Sequence, residues 1–524
     1  MDSETTPLKK DDEKAKGSQY SSGLSMVLSS LGCVVGTGNI WRFPRIVANN
    51  SGENGSLQFL IVWLMFSFLW SIPMVLIEYP LGRCCKTLAN AYRSLIGPKN
   101  LWCSGWLVLV TTFITCYYAV LVGWCLYYSF YFMVNPLPVR DYESKQIFFI
   151  FSEQSCWPIV LQILVVLAAG LSLLTSVRGI EIVNNIMVPI LFILVLVTFV
   201  WAMTVKNAVD GLKFMFSPDW GLLLSAKTWL EAITQNAWDV GAGQGIFVAY
   251  GAYMTAANSV VRVSTLIPLA DNLVSLICAM TTFSTVFGIE INEGYNKTEI
   301  VTLLKTNGPG NTGLTFIWMP ILYSTASFGR VLAVVFFFAL FFAGFTSLIG
   351  MMELPVQTVE GFGVKRSVSV IVCVILVCLF GCPSALNINF LVDQDFVWGY
   401  ALLISGLLLQ YLVIRYGTAK FRSSMVNDYT TTSDWYLPKL WEWVVKFVAP
   451  TEAVFLLAWF VVFSVLTDSS WYTLGVETLM MCLLQWSLVL AGVVLANIIY
   501  YYRCVRHQDD YRDIGEQMQT FSSE

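Results

Sequence analysis

Charge is scarce in this chain and histidine is almost missing. Only 12% of its 524 residues are Asp, Glu, Lys or Arg, about half the roughly 25% of a soluble domain. The one histidine, His507, lies near the carboxy terminus, so a histidine-based metal or acid–base centre is excluded. No GxxxxGK[ST] loop is present to cradle a nucleotide phosphate, which argues against an ATP-driven pump and leaves an ion or substrate gradient as the energy source. Neither an organic cofactor nor a nucleic-acid partner is expected. Cysteine is not rare, at thirteen, but Cys84 and Cys85 are adjacent rather than spaced as CxxC. Most of the others fall inside apolar runs, where cysteine acts as a small hydrophobe. A secretory signal is also missing: residues 1–18 are polar and read as a disordered tail, and the first apolar run comes late.

What fills the chain instead is apolar sequence, 56% hydrophobic and 15% aromatic. Apolar stretches of about 20 residues or more recur near 22–47, 57–82, 104–134, 157–175, 180–204, 227–256, 263–288, 328–357, 367–384, 389–414, 451–468 and 474–501. The reading is an all-α polytopic membrane protein with twelve transmembrane helices, so both termini share one side. Lys and Arg concentrate in the segments that are cytoplasmic if the amino terminus is inside, including Lys9, Lys10, Arg83, Lys86, Arg93, Lys365, Arg366 and Arg415. The chain therefore divides into a tail (1–18), a core of ten spans (19–414), a cytoplasmic connection (415–450), two further spans (451–502) and a cytoplasmic tail (503–524).

Two of the twelve stretches do not read as continuous helices. Leu31 to Pro44 is LGCVVGTGNIWRFP, and Gln235 to Gly245 is QNAWDVGAGQG, each with apolar sequence on both sides. Unpaired backbone in lipid costs several kcal/mol per group, so a break at this depth must be packed in protein and line a site. Breaks in the first and sixth spans, each opening a run of five, fit a 5+5 repeat with the substrate and ion sites at mid-membrane.

GNIWRFP at Gly38 to Pro44, IEYPLGR at Ile77 to Arg83, CYY at Cys116 to Tyr118 and AGFTS at Ala343 to Ser347 resemble the neurotransmitter:sodium symporter family. That resemblance covers about residues 20 to 500 and implies the leucine-transporter fold, with an inverted repeat and broken helices 1 and 6. It implies two sodium ions. One site would use Gly32, Val35 and Ala343 carbonyls with the Thr346 and Ser347 hydroxyls; back-bonding of those hydroxyls to their own helix is the plain alternative. The other would use the Val34 carbonyl, Asn39, Asp239 and Asp271, or Asn272 after a one-residue shift. Asp239 stands where the family commonly has Ser or Thr, and capping of the half-helix after the break is its alternative role.

The resemblance places the substrate among Val34, Gly36, Thr37, Gly38, Ile114, Tyr118, Trp238, Gly241, Gln244, Ser347 and Met351. Half-helix amides around Gly36 to Gly38, with the Tyr118 hydroxyl, suit a carboxylate. The family's monoamine carriers have Asp where Gly36 stands, so glycine argues for a small amino-acid substrate. Gln244 replaces a common aromatic. Arg42 and Asp395, with Asp393 as competing partner, are the expected outer ion pair, and Trp238 the lid. Gly179 and Pro189 match a GlyX9Pro pattern associated with unwinding of helix 5. Glu78 and Glu353 read as structural carboxylates that bond broken backbone. The resulting expectation is a plasma-membrane symporter that couples sodium entry to amino-acid import and is independent of chloride, its oligomeric state open. An amino-acid sensor of the same fold, or a proton-coupled or uncoupled carrier, shares the pattern, but the intact ion-site residues favour transport.

Overall fold

The computed structural model describes residues 19–255, 257–305, 312–429 and 434–505. The tail at 1–18, most of the segment 503–524 and His507 lie outside the described residues. Helix runs almost throughout, because a chain with no water to solvate its amides must pair them within the segment. Nine helices are long and apolar enough to cross a bilayer, and two bent pairs bring the number to eleven, among the described residues.

In chain order these are span 1 (Gly23–Val34 with Gly38–Asn49, bent 48°), span 2 (Leu57–Cys85), span 3 (Pro98–Val134), span 4 (Asp141–Gln154 with Trp157–Leu173, bent 71°) and span 5 (Val177–Thr204). Span 7 (Val260–Asn292), span 8 (Gly329–Glu360), span 9 (Arg366–Leu386), span 10 (Ile388–Tyr416), span 11 (Leu440–Thr467) and span 12 (Leu479–Arg503) follow. The sixth stretch forms two short helices, Ala226–Val240 and Ile246–Gly251. Its halves fall short of that length-and-composition measure, so twelve crossings stand only if this broken pair is counted as span 6. Within the connection expected at 415–450, helix begins at Leu440 and runs on into span 11.

Four helices widen into a single π turn two residues before a proline: Gly38–Arg42 before Pro44, Ser67–Ser71 before Pro73, Leu314–Trp318 before Pro320, and Val444–Val448 before Pro450. Proline has no N–H and its ring clashes with the carbonyl four residues back, so the turn ahead of it opens.

Burial sorts the spans into an inner and an outer set. The apolar windows of spans 2, 3, 7 and 8 are at least 72% buried, whereas those of spans 5, 11 and 12 are 28% or less. Spans 3 and 8 pack along each other, span 1 lies against spans 5, 7 and 8, and the second half of span 6 lies against span 2. The broken spans are therefore enclosed by protein. Between spans 7 and 8, Lys297–Lys305 packs Ile300, Val301 and Leu304 against the end of span 1, and Leu314–Ser324 packs against span 8, so these loop helices are buried elements.

Candidate functional site

The two breaks are built differently. In span 1 the helix stops at Val35 (φ −72°, ψ 87°) and resumes at Gly38. In span 6 three glycines take left-handed backbone in alternation, Gly241 at φ +69°, Gly243 at +95° and Gly245 at +82°. A side chain at any of the three is strained there. The freed backbone is satisfied from neighbouring spans. Buried Glu78 of span 2 accepts from the Gly243 amide at 2.7 Å and the Phe247 amide at 3.2 Å, and the Thr111 hydroxyl donates to the Gln244 carbonyl at 2.7 Å. Glu78 thus bonds broken backbone as its position suggested. Glu353 does not: it accepts from Tyr253 and Gln357 and pairs with Arg366 at 2.5 Å, side chains only.

Span 8 brings its hydroxyls to the end of the first half-helix. Ser347 Oγ donates to the Gly32 carbonyl at 3.2 Å, while Thr346 Oγ1 donates back to Phe342 O at 2.9 Å and Ala343 O at 3.1 Å. Ser347 thus bonds across to Gly32 while its neighbour Thr346 bonds back to its own helix at Ala343, and Val35 is fully buried three residues after Gly32. These are hard oxygens of the kind a sodium ion takes, once the hydroxyl protons turn away. A residue the sequence did not flag joins them. Asn184 of span 5 is fully buried, and a Cβ on Gly32 would lie 1.9 Å from its Oδ1, so only glycine admits it. Its signal was available: an amide midway between Gly179 and Pro189 in an apolar run. Span 5 itself is wound continuously from Val177 to Thr204, with Pro189 inside it, so the unwinding expected there is not seen in this conformation. Gly179 has a local reason to be glycine, since a Cβ would lie 1.8 Å from Ser172 O.

A second oxygen cluster joins spans 1, 6 and 7. Asn39 Nδ2 donates to Asp271 Oδ1 at 2.7 Å and to Ser275 Oγ at 2.8 Å. Gln235 Nε2 donates to Asp239 Oδ1 at 2.8 Å, and Ser275 Oγ to Asp239 Oδ2 at 3.5 Å. Asp271, not Asn272, faces this cluster; the Asn272 amide donates to Ser67 instead. The two buried carboxyl groups are linked through Asn39 and Ser275, with no cationic side chain among these contacts, and in low dielectric their ionised form calls for a cation. Asp239 makes no backbone bond of the kind a cap would make.

Between the clusters lies a pocket with Val34, Gly36, Tyr118, Trp238, Gly241, Gln244, Ser347 and Met351 in its wall, joined by Cys33 and Ile246. Ile114, Thr37 and Gly38 are buried but are not in that wall. A Cβ on Gly36 would come within 2.9 Å of both Ser347 Oγ and Tyr118 Oη, so any larger residue there would fill the pocket. The amides expected to be free are partly engaged: Gly36 N–H donates to Asn39 Oδ1 at 2.7 Å and Thr37 N–H to Tyr118 Oη at 3.2 Å. The pocket is contracted to about 10 Å³, barely one water.

Both exits are shut. At one end of the pocket, Arg42 pairs with Asp395 at 3.4 Å, Tyr117 donates to the same Asp395 oxygen at 3.1 Å, and the Arg42 guanidinium lies 4.9 Å from the Trp238 ring centre. Asp393 is turned elsewhere, accepting from the Glu477 amide and Gln485. At the amino-terminal end of span 1, the Tyr20 amide donates to Tyr253 O at 3.3 Å, their rings meet edge to face at 6.1 Å, and Tyr253 donates to Glu353. Arg366 then links Glu353 to Glu360 at 2.8 Å, and the Ser21 amide donates to Glu181 at 2.7 Å.

Residues 17–156 and 150–507 match the sodium:neurotransmitter symporter family. An uncharacterized sodium-dependent transporter of Methanocaldococcus jannaschii is 28% identical over 465 residues, covering 83% of this chain and 89% of the relative. The uncharacterized sodium-dependent transporter YhdH of Bacillus subtilis is 25% identical, covering 83% and 96%. A sodium- and chloride-dependent GABA transporter of Drosophila melanogaster is 24% identical, covering 74% of this chain and 44% of that longer relative. Among solved structures, MhsT in complex with L-phenylalanine superposes with a TM-score of 0.71 at 24% identity, covering 84% of this chain and 99% of that one.

Proposed function

The chain belongs to the sodium:neurotransmitter symporter family, and from that premise we propose that it imports a small amino acid by coupling to two sodium ions, through alternating access. The observation that carries this reading is Gly36, bracketed by Tyr118 Oη and Ser347 Oγ beside the opened end of a half-helix and flanked by two oxygen clusters. A carboxylate seated there meets a hydroxyl and the positive end of a helix dipole. Gly36 offers no charge to an amine. The amides of Gly36 and Thr37 exchange their present partners for the substrate as the pocket widens. Each sodium ion crossing ~100 mV supplies about 2.3 kcal/mol, more than one decade of substrate accumulation.

Asp239 is proposed to hold permanently the negative charge that chloride supplies in chloride-dependent relatives. By resemblance, such relatives hold the anion with a Tyr in span 2, a Gln and a Ser in span 6 and a Ser in span 7. Here Gln235 and Ser275 both bond Asp239, and Trp63 stands for the Tyr. The termini are placed in the cytoplasm of a plasma-membrane protein, on the distribution of Lys and Arg. A sensor without transport is disfavoured by the retention of the proposed ion-site residues and of the proposed gate pair, which a binding module does not need.

Purified protein in liposomes, loaded with potassium and diluted into sodium buffer with radiolabelled amino acids, tests the reading. Uptake that requires the sodium gradient supports it. Binding of an amino acid without concentrative uptake, or uptake unchanged in potassium or choline, overturns it.

A further inference from the structure

Within the amino-acid reading above, on which this inference rests, we propose that Gln244 makes the carrier select neutral amino acids whose side chain donates a hydrogen bond, a hydroxyl or a carboxamide. Gln244 is 2% exposed and lies in the pocket wall, yet its Oε1 is buried without a hydrogen-bond partner. Its backbone is held on both sides, the amide donating to Gly241 O at 3.2 Å and the carbonyl accepting from Thr111 at 2.7 Å. The break in span 6 therefore fixes where this side chain starts. Beside it stands Gly241, where a Cβ would come within 2.6 Å of Ile246 and touch the Gln244 carboxamide carbon at 3.8 Å, so glycine is what keeps this part of the wall clear.

The other polar groups of the wall have roles at the opposite end of a bound amino acid. Asn39 and Asp239 belong to the ion cluster, and Tyr118 and Ser347 bracket Gly36. Val34, Ile246 and Met351 add apolar surface to the wall. A carbonyl oxygen buried among such groups is costly unless it receives a donor. An apolar substrate side chain leaves it unpaired, whereas a hydroxyl or amide N–H satisfies it. A charged side chain meets only a neutral carboxamide at this position, with no counter-charge on Gln244 itself. Sites that hydrogen-bond a substrate group reject the isostere lacking it far more strongly than apolar pockets reject a methylene.

The test uses the full-length protein in detergent with saturating sodium and measures the rise in unfolding temperature with each amino acid, titrated to give apparent affinities. Threonine and valine are nearly isosteric, as are asparagine and leucine. Threonine is expected to bind at least ~10-fold more tightly than valine, and asparagine more tightly than leucine; Gln244→Leu should abolish or invert both ratios. Valine or leucine binding as well as its polar counterpart to the unaltered protein overturns the proposal and needs no variant to be read. Unchanged ratios in Gln244→Leu also overturn it. If no amino acid shifts the unfolding temperature in sodium, the amino-acid reading itself falls.

Discussion

The Ser347 hydroxyl donates to the Gly32 carbonyl at 3.2 Å, fastening the middle of span 8 to the last turn before the break in span 1. The bond joins two elements 315 residues apart in sequence, and its two oxygens are of a kind that coordinates sodium. Binding an ion there would hold the same two helices together through the ion, so occupancy and closure of this seam would be one event.

Replacing Thr346 and Ser347 together by Ala removes two of five proposed oxygens. At about 1.5–3 kcal/mol for a hydrogen-bond-scale contact to a charge, sodium affinity should fall at least ~10-fold. Sodium titrated by calorimetry or by its effect on amino-acid binding reads this directly. Equal sodium affinity in the double variant rejects the assignment.

The outer pair should matter to turnover more than to binding. Asp395→Asn breaks both the Arg42 ion pair and the bond from Tyr117, so uptake should fall several-fold further than equilibrium amino-acid binding. Asp393→Asn touches neither partner and should leave uptake within about twofold. A double variant of Arg42 and Asp395 no worse than the worse single one indicates coupling. Strict additivity, or full uptake by Asp395→Asn, removes the gate.

Chloride supplies a third measurement. A chloride ion about 4 Å from the Asp239 carboxylate would be repelled by roughly 4 kcal/mol at an effective dielectric near 20, so uptake should be the same in gluconate and in chloride. Asp239→Ser should lose activity in gluconate and regain part of it when chloride is restored. Uptake by the unaltered protein that collapses in gluconate refutes this role for Asp239.

Glu78 tests the backbone of span 6. Its carboxylate takes the amides of Gly243 and Phe247, and Glu78→Ala leaves two buried N–H groups unpaired, at about 1–3 kcal/mol each. Unfolding in detergent should shift down by several degrees, and amino-acid binding should weaken with it. A variant as stable as the parent shows that these amides find other partners.

Much of the architecture was legible in the chain. Long apolar runs with almost no charge read as membrane helices, and the glycines of LGCVVGTGN and DVGAGQG mark where those helices break; at Gly241, Gly243 and Gly245 the backbone is left-handed, which glycine adopts without the strain a side chain would bring. Through the family resemblance they carry, the motifs GNIWRFP and AGFTS pointed to the oxygen-bearing residues proposed for the ion sites. Pairings between distant spans were not legible. Sequence left Asp271 against Asn272 and Asp395 against Asp393 undecided, since one or two residues along a helix turn a side chain by 100° or 200°, and only the packing of span 7 on span 1 and of span 10 beside Arg42 settles which carboxylate faces inward. The approach of Asn184 to Gly32, the pairing of Glu353 with Arg366 and the unmet oxygen of Gln244 depend likewise on which helices touch. Local propensity fixes where a helix bends; tertiary packing decides what stands on the other side of the bend.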